Sequence, residues 1–408
     1  MDSEQAVAEL SPEEARFNAW LSFIGAGVAL TGVQLIAPSL PVMRDSLGLT
    51  DSQLALVMSV YLLPAAIASI PVGLLADRLG RRIVFGSSLL LFGILGLVLV
   101  FIDSFTMFLA VRFLQGVAFA GLLPLTMTIL GDAYDGHRLI GAQGHRSVAM
   151  SVGDGVLPIV GGLLVVAGWQ VPWLGQSLAI PLGLVVLWKL TDVPAVASHA
   201  RRSGLDLGAF GRLFRSGSII ALEYAGFLRM FLKFTILTFL PVFLVDVRGL
   251  SAAFAGLVVG IAALAGTAIA ATSGRIARLG NPTLWMVVGV AGMGLALIAM
   301  VLVPWAAGIL AVSLIYGAFD GLMGVFTNSF VTAATSAEHR AGFVAATGAI
   351  RNFAKFTAPA AFAALVLAMP MAPAFMLMGG LTIASVAVIA MIKPLEGRLI
   401  DQRAGAIG

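Results

Sequence analysis

The stretch Gly73-Leu74-Leu75-Ala76-Asp77-Arg78-Leu79-Gly80-Arg81-Arg82 forms a short charged break between two long apolar runs. A partial copy, Ser273-Gly274-Arg275-Ile276-Ala277-Arg278-Leu279-Gly280, follows 200 positions later and keeps the Arg-Leu-Gly triplet. Leu40-Pro41-Val42 recurs as Leu240-Pro241-Val242 at the same spacing. A repeat of this length between apolar runs predicts two related bundles of membrane helices with a site between them, an arrangement typical of secondary transporters.

The composition is that of a polytopic membrane protein. Hydrophobic residues make up 60% of the 408 residues and charged residues only 11%, far from the values of soluble domains. Apolar stretches of about 20 residues recur along the chain, each long enough to cross a bilayer as a helix. We predict an all-α membrane protein with twelve transmembrane helices in two pseudo-symmetric six-helix bundles. The predicted spans are 18–43, 52–76, 83–102, 105–131, 147–168, 173–190, 217–246, 251–273, 283–303, 306–335, 342–368 and 372–392.

The largest break in hydrophobicity, at 191–216, divides the chain into two halves. The predicted parts are an N-terminal segment 1–17, a bundle over 18–190, an interdomain linker 191–216, a bundle over 217–392 and a tail over 393–408. The linker has an amphipathic pattern, with Leu207 and Phe210 against Arg201 and Arg212. A segment of this kind at the inner membrane surface acts either as a plain tether or as a lipid sensor.

Basic residues predict the orientation. When loops are assigned alternately to the two sides, 17 of the 24 Lys and Arg residues fall on one side and 2, Arg44 and Arg248, on the other. The positive-inside rule therefore predicts an inner (plasma) membrane protein with both termini in the cytoplasm. Because the net charge of +4 belongs to these loops, no nucleic-acid partner is expected. Trp169, Trp173 and Trp305 beside the opposite loops suit the interfacial aromatic belt.

Other classes of protein find no support in the motifs. The chain has no cysteine, and its four histidines, His137, His145, His199 and His339, fall in predicted loops without ligand-like spacing. There is no His-Glu-x-x-His, Gly-x-Ser-x-Gly or phosphate-binding loop, so neither an enzyme nor a bound cofactor or metal is expected. The first helix is predicted to begin at a capping box formed by Ser11 and Glu14.

The turn at 73–82 resembles motif A of the major facilitator superfamily, and the chain is most similar to its twelve-span drug:proton antiporters. The resemblance covers nearly the whole chain and implies the major facilitator fold. Gly73 would allow a close helix contact, Gly80 a tight turn, and Asp77 is suited to a helix N-terminus or an arginine. Arg81 and Arg82 are expected to meet anionic headgroups.

The resemblance also implies that this turn gates the cytoplasmic side. The implied gating residues are Gly73, Asp77, Arg78, Gly80, Arg81 and Arg82. A plain positive-inside turn is the alternative. Ala277 stands opposite Asp77 in the partial copy, so such a gate would belong to the first half alone.

Two further motifs lie in the first half. Arg112-Phe113-Leu114-Gln115-Gly116 resembles motif B, which implies a part in proton coupling for Arg112; snorkelling to the outer interface is the alternative. Gly153-Asp154-Gly155-Val156-Leu157-Pro158-Ile159-Val160-Gly161-Gly162 resembles motif C, the antiporter signature. Gly153, Gly161 and Gly162 predict close helix packing and Pro158 a bend. Leu157 replaces the family's glycine, and Asp154 is an unusual acid that we assign to proton coupling; both departures weaken the inference of export.

Charges inside the spans of the second half predict a polar cavity. Arg229 and Lys233, like Arg351 and Lys355, are spaced i, i+4, so each pair shares a helix face and repels itself. Asp320 is either a proton-titrating carboxylate or the static partner of Arg229, Lys233 or Lys355. The predicted cavity residues are Gln34, Gln115, Glu223, Arg229, Lys233, Arg351 and Lys355, with an interfacial position as the alternative for Glu223 and Arg351.

The charges also favour a class of substrate. The first span has no ionisable residue between Trp20 and Met43, and basic groups inside the spans outnumber acidic ones, which favours a neutral or anionic solute. The leading interpretation is a monomeric, proton-driven exporter of small drug-like or metabolite molecules that works by alternating access among membrane lipids. A facilitator or proton symporter for an organic anion is the alternative, and a non-transporting sensor is a third.

Overall fold

The structure is a computed structural model that describes residues 10–192, 216–276, 280–334 and 340–396. Most of the predicted linker, with its amphipathic pattern, and the tail beyond residue 396 lie outside the described residues. So does Ala277, and the expected contrast between Ala277 and Asp77 remains a prediction.

Every regular element of the described residues is a helix, which confirms the all-α prediction. The residues divide into two compact units, the first of which comprises 10–49 and 56–192. Its helices are α1 Pro12–Leu30, α2 Leu40–Leu47, α3 Asp51–Leu79, α4 Arg81–Leu99, α5 Phe105–Ala133, α6 Gly136–Leu164, α7 Gln170–Leu174 and α8 Ala179–Lys189. A π-helical segment, Thr31–Leu35, and a 3₁₀ turn, Ala37–Ser39, carry the chain from α1 into α2.

The second unit comprises residues 50–55 and the described residues from 216 onward. Its helices are α9 Gly217–Val242, α10 Ala252–Ile276, α11 Pro282–Leu302, α12 Ala306–Ala333, α13 Arg340–Ala368, α14 Met371–Ala384 and α15 Val386–Ile389. A π-helical segment, Phe243–Val247, follows α9, and a 3₁₀ segment, Ala390–Leu395, ends the described chain.

Eleven helical segments of the described chain are long and apolar enough to cross a membrane. Helix α13, which matches the predicted span 342–368, is not among them. It is long enough, at 29 residues, but it carries Arg351, Asn352 and Lys355 near its middle. Arg351 and Lys355 are among the predicted cavity residues.

The two units repeat the same order of helices at a nearly constant spacing. Helices α10, α11 and α12 begin at residues 252, 282 and 306, each 201 residues after α3, α4 and α5 at 51, 81 and 105. Helix α13 begins 204 residues after α6 (340 − 136), and α14 begins 201 residues after α7 (371 − 170). The internal repeat that the Arg-Leu-Gly triplet indicates therefore extends over the helical framework.

Equivalent glycines make equivalent close contacts in the two units. A Cβ atom on Gly116 of α5 would collide with the carbonyl oxygen of Tyr61 in α3. A Cβ atom on Gly317 of α12, 201 positions later, would collide with the carbonyl oxygen of Ala262 in α10. Any side chain at either position would push two helix backbones apart, as in other small-residue contacts between membrane helices.

Helix ends differ from the predicted spans in the first unit. The capping box is confirmed: the Ser11 backbone donates to the Glu14 carboxylate at 2.9 Å, and the Glu14 backbone donates to Ser11 Oγ at 3.3 Å. Helix α6 begins eleven residues before the predicted span at 147, so His137 and His145 lie on a helix and not in a loop. Arg146, counted as a loop residue, is buried and donates to Thr126 Oγ1 at 2.7 Å.

Two of the predicted interfacial tryptophans lie in the interior. Trp169 and Trp173 are buried, and the Trp173 indole N–H donates to Ser39 Oγ at 3.1 Å. Trp305 is exposed, as the belt requires. The prediction fails for the first two because the short helix α7 folds their side chains against the neighbouring spans, an arrangement that hydropathy does not reveal.

Candidate functional site

The turn at 73–82 joins α3 to α4 through a single residue, Gly80. Its φ of 93° lies in the positive range that favours glycine, which confirms the predicted tight turn. Asp192, just after α8, accepts a hydrogen bond from the Arg82 backbone N–H at 2.8 Å and thus caps α4. This cap is not predictable from the sequence, because the two residues are 110 positions apart and no local pattern links them.

The charged side chains of the turn bind protein groups. Asp77 forms an ion pair with Arg81 one helical turn away, and Arg81 Nε also lies 3.2 Å from Asp132 at the end of α5. Asp77 thus meets an arginine, one of its two expected partners. The Arg82 side chain donates to the Leu187 carbonyl at 2.5 Å. Both arginines are therefore engaged by the protein, where the sequence predicts contact with lipid headgroups.

Gly73 and Arg78 behave differently from the rest of the turn. Among the described residues nothing lies within 4 Å of a Cβ atom placed on Gly73, so its predicted role in a close helix contact is wrong in this structure. Arg78 is exposed. The gating role of the turn stays a prediction.

Arg112 is fully buried in the first unit and therefore does not snorkel. Its guanidinium donates to the Gly32 carbonyl at 2.7 Å, to the Val57 carbonyl at 3.3 Å and to Gln115 Oε1 at 2.5 Å. The Tyr61 ring centroid lies 4.0 Å from the guanidinium carbon. No carboxylate of the described chain lies within salt-bridge distance of Arg112. Carbonyl dipoles and a ring face thus hold this charge in place of a counter-ion.

The π-helical segment Thr31–Leu35 supplies one of these acceptors. Gly32 lies so close to the Tyr61 hydroxyl and the Phe92 ring that a Cβ atom would collide with both, and the Gly32 carbonyl accepts a hydrogen bond from Arg112. Isolated π-helical turns often mark functional sites, because the wider turn redirects carbonyl groups away from the helix axis. The segment is continuous with α1, so sequence patterns that predict a helix do not distinguish it.

Gln115 orients Arg112 from within the helix packing. Its Oε1 accepts from Arg112, and its Nε2 donates to the Phe92 carbonyl at 3.1 Å and to Gln176 Oε1 at 2.5 Å. All of these side-chain groups are fully buried. Gln115 thus lies inside the helix packing of the first unit and not on the wall of the predicted cavity.

At the position equivalent to Arg112 the second unit has a serine and not a cation. Ser313 stands 201 positions after Arg112, and its hydroxyl donates to the Val258 carbonyl at 2.7 Å. Val258 in turn stands 201 positions after Val57, which accepts from Arg112. The two halves therefore share the backbone acceptor, but only the first presents a cation to it.

Asp154 and Gln34, which sequence analysis assigns to proton coupling and to the cavity, meet directly. Gln34 Nε2 donates to Asp154 Oδ1 at 2.6 Å. Gln34 belongs to the same π-helical segment as Gly32, so one short segment contacts both Arg112 and Asp154. Sequence analysis predicted both polar groups but not this link between them.

The small residues of the motif C stretch pack as predicted. A Cβ atom on Gly161 would collide with the Leu35 carbonyl, and one on Gly153 would crowd the Leu30 side chain. Pro158 and Gly162 are buried along the same helix. Through these contacts α6 packs closely against the end of α1 and against the π-helical segment.

Arg229 on α9 and Asp320 on α12 form a two-point ion pair in the second unit. Arg229 Nε lies 2.8 Å from Asp320 Oδ1, and Arg229 Nη2 lies 2.9 Å from Oδ2. Gly324, one turn after Asp320, leaves the room that the guanidinium occupies, since a Cβ atom there would collide with it. Of the alternatives open from the sequence, the salt bridge to Arg229 is the one that this structure contains.

Glu223 is a buried carboxylate six residues before Arg229. With 4% of its surface exposed it is not interfacial. One carboxylate oxygen accepts from the Thr347 hydroxyl of α13 at 2.5 Å, and the other has no hydrogen-bond partner. A carboxylate in these surroundings is costly to hold ionised, so the site is suited to a group that takes up and releases a proton.

The basic residues that share a helix face have different partners. Arg351 of α13 donates to Asn328 of α12 at 2.8 Å. Lys355, one turn later, donates to Asn352 at 3.1 Å and lies 5.9 Å from the Phe234 ring centroid. The expected self-repulsion is thus reduced by polar neighbours. Lys233 is half-buried one turn after Arg229.

The helical framework, its repeat and its motifs agree with a comparison of the whole chain with protein families. The model of the Major Facilitator Superfamily matches residues 22–359. The chain belongs to this superfamily. As a member it is a multi-pass membrane transporter for small molecules and not an enzyme.

Similar members of the superfamily are found among curated and solved proteins. The bacillibactin exporter of Bacillus subtilis is 33% identical over 36% of this chain and 38% of its own length, so the match spans well under half of that relative. A probable L-galactonate transporter of Escherichia coli is 26% identical over 79% of this chain and 76% of its own length. The structure of a bacterial homologue of the human lysosomal transporter Spinster has a TM-score of 0.77 at 16% identity, covering 96% of this chain and 97% of that one. At this identity the last likeness shows the shared fold alone.

Proposed function

We propose that this superfamily member is a proton-coupled exporter of small drug-like or metabolite molecules that works by alternating access. The supporting observation is a set of buried and half-buried ionisable groups in spans that would otherwise be apolar. Glu223 and Asp320 contribute carboxylates in the second unit, and Arg112 a cation in the first. Such groups are retained in membrane helices chiefly for substrate or ion pathways.

Glu223 and Asp320 have complementary roles in this proposal. Protonation of Asp320 would release the guanidinium of Arg229, which is then available to a neutral or anionic solute. Glu223, with one unpartnered oxygen, would hold a proton without breaking an ion pair. Arg112 and Asp154, both in contact with the π-helical segment, would carry the response in the first unit.

The relatives favour this proposal and its alternative in different ways. The bacillibactin exporter supports export of a metabolite. The probable L-galactonate transporter favours the alternative, a facilitator or proton symporter for an organic anion, since galactonate is a carboxylate. The guanidinium groups of Arg229 and Arg351 in the second unit suit an anionic solute in either case.

The basic residues support an inner (plasma) membrane location with both termini in the cytoplasm. The bundles are proposed to span 18–190 and 217–392, joined by the cytoplasmic linker 191–216. We further propose that the chain works as a monomer, with protons and membrane lipids as its other partners.

Proteoliposomes with a trapped pH-sensitive dye distinguish these functions. The vesicles are loaded at acid pH and exposed to a panel of neutral and anionic aromatic compounds. An antiporter will accumulate a compound inside while the lumen loses protons, whereas a symporter will accumulate it only when the outside is acid. If no compound moves under either gradient, the protein does not transport by proton coupling.

Glu223→Gln and Asp320→Asn should each abolish gradient-driven accumulation, because each removes a group that accepts the proton. Asp103→Asn, which changes an exposed carboxylate between α4 and α5, is the matched control and should transport normally. Wild-type accumulation by either of the first two variants would remove that carboxylate from the mechanism.

A further inference from the structure

A groove of about 620 Å³ lies on the surface of the first unit between α1 and α6. On α1 it is lined by residues at positions 16, 19, 20 and 23, and on α6 by residues at positions 138, 141, 145 and 148. Within each set the residues follow the helical spacing, at i, i+3, i+4 and i+7 on α1 and at i, i+3, i+7 and i+10 on α6, so each set forms one face of its helix. The groove is thus the seam between two helix faces and lies apart from the Arg112 cluster.

The polarity of the groove changes along its length. Arg16 and Arg138 lie near the starts of α1 and α6, which run in the same direction as the first and fifth spans. Phe23 lies about 10 Å further along α1, and Val148 about 15 Å further along α6, at a rise of about 1.5 Å per residue. One end of the groove is therefore cationic and the other is apolar.

The cationic end is open to an anion from outside the protein. Neither Arg16 nor Arg138 forms an ion pair with any described residue, and both are exposed. None of the described residues that line the groove is acidic, and the ring of its histidine, His145, lies 6.1 Å from the Phe23 ring between centroids. Arg146, the next arginine after Arg138 in α6, is instead buried, and its guanidinium donates to Thr126 Oγ1.

The apolar end presents large side chains to the surroundings. Trp20 is 63% exposed and Val148 60% exposed, although both lie on membrane helices. The buried side chains of Ala19, Leu130 and Ala142 pack into a cluster beneath the groove. An exposed tryptophan next to arginines is the pattern of a helix surface at the boundary between headgroups and hydrocarbon.

We propose that this groove binds one anionic phospholipid of the inner leaflet. The phosphate would lie between Arg16 and Arg138, and one acyl chain would follow Trp20 towards Val148. Charge complementarity selects an anionic headgroup over a zwitterionic one, and the gradient from charged to apolar matches the depth profile of a leaflet. The binding does not depend on which solute is transported.

Native mass spectrometry of the full chain, released from detergent with equal amounts of phosphatidylglycerol and phosphatidylcholine, tests the site. The wild type should retain one phosphatidylglycerol in preference to phosphatidylcholine. Arg16→Gln/Arg138→Gln should lower this retention about tenfold or more, since each basic group near an anionic headgroup contributes roughly a factor of five. Lys189→Gln/Lys393→Gln removes the same charge from exposed positions outside the groove and should retain the lipid.

A second variant tests the groove without changing its charge. Gly141 lines the groove, and nothing lies within 4 Å of a Cβ atom placed there, so Gly141→Phe should fold and fill the space. It should lose the bound lipid with both arginines present, and Gly141→Ala should keep it. Equal retention by Gly141→Phe and the wild type would overturn the proposal. So would a wild-type dimer that Gly141→Phe dissociates, because the groove would then be an interface between two copies.

Discussion

At the scale of single residues, Arg112 shows how a charge is kept inside a membrane bundle without a carboxylate. Its three acceptors come from the π-helical segment, from α3 and from its own helix. The Tyr61 ring covers its face. Because every partner is neutral, this cation is sensitive to any small rearrangement of the carbonyl groups around it. A displaced Gly32 carbonyl would leave a buried donor unsatisfied.

Arg112→Ala should lower the free energy of unfolding by about 3 kcal/mol or more, because it leaves a cavity and strands the acceptors of a buried charge. Ser313→Ala, at the repeat-equivalent position, is the matched control and should cost only about 1 kcal/mol. Thermal denaturation in detergent measures both. Equal losses in the two variants would show that the buried charge adds nothing beyond the shared backbone contact.

A second substitution of Arg112 separates its contribution to stability from its contribution to transport. Arg112→Lys keeps the charge, but a single ammonium group cannot reach the three acceptors with the geometry of a guanidinium. We expect this variant to insert and to lose gradient-driven transport. Normal transport by Arg112→Lys would show that transport does not require the guanidinium geometry.

The sequence predicted which residues carry charge in the spans and named Arg229 among three candidate partners of Asp320, but it did not identify the partners of Arg112 and Glu223. Arg112, Asp320 and Glu223 could all be named, because an ionisable residue in an apolar run is visible at once. Their partners Gly32, Arg229 and Thr347 lie 80, 91 and 124 positions away. Contacts at these separations depend on how helices pack, and no local pattern encodes them.

At the scale of elements, the π-helical segment Thr31–Leu35 is the point where three features of the first unit meet. Its Gly32 carbonyl binds Arg112, its Gln34 side chain binds Asp154, and its Leu35 carbonyl contacts Gly161. A shift of this segment would therefore disturb the cation and the acid together. We regard it as the element that connects them.

Gly161→Ala should displace this segment. The added methyl group meets the Leu35 backbone, which cannot rotate away, and overpacking of this kind costs about 1–3 kcal/mol. Gly144→Ala on the same helix has nothing within 4 Å of its Cβ atom and should be neutral or stabilising by up to about 1 kcal/mol. Melting temperatures in detergent give the comparison; if both variants melt together, the contact with Leu35 carries no stability.

The cap of α4 makes a separate prediction. Asp192→Ala removes the acceptor of the Arg82 backbone N–H and should cost about 1 kcal/mol, whereas Asp192→Asn keeps an acceptor and should cost less. The thermal shift of each variant checks the order. Identical losses would mean that the charge of Asp192, and not its acceptor, stabilises the turn.

The sequence was sufficient to predict which segments form helices. It was less able to predict the residues at which those helices begin and end. The apolar runs and the repeat identified the framework, because membrane helices have a fixed minimal length. The run from residue 136 to 146 is polar and reads as a loop, yet it forms the first three turns of α6. Hydropathy marks where a helix enters hydrocarbon, and it gives no sign of a helix that continues beyond it.

At the scale of the whole molecule, the halves share a framework and differ in their charges. The first unit contains a cation held by neutral groups, and the second contains an ion pair and a buried carboxylate. A repeat with symmetric helices and asymmetric charges is consistent with two halves that do different parts of one task.

The proposed orientation can be tested directly because the chain has no cysteine. We expect a membrane-impermeant maleimide to label Asp103→Cys in intact cells and to leave His137→Cys unlabelled until the membrane is opened. Both positions are exposed in the structure, so access depends only on the side of the membrane. The opposite labelling pattern would invert the topology.

We propose that the pair of Asp320 and Arg229 takes part in proton coupling, and removal of both charges at once tests this role. Asp320→Asn alone removes the carboxylate that faces the partly buried guanidinium of Arg229 and should lower the free energy of unfolding by about 2–3 kcal/mol. Asp320→Asn/Arg229→Gln should recover most of that stability, since both charges of the pair are then removed together.

The deciding measurement is accumulation of a transported compound by proteoliposomes that contain this double variant, under an imposed proton gradient. We predict a protein that melts within a few degrees of the wild type and accumulates nothing in response to the gradient. Accumulation at the wild-type rate would contradict the account, because the pair would then be a structural salt bridge and the proton would be carried elsewhere.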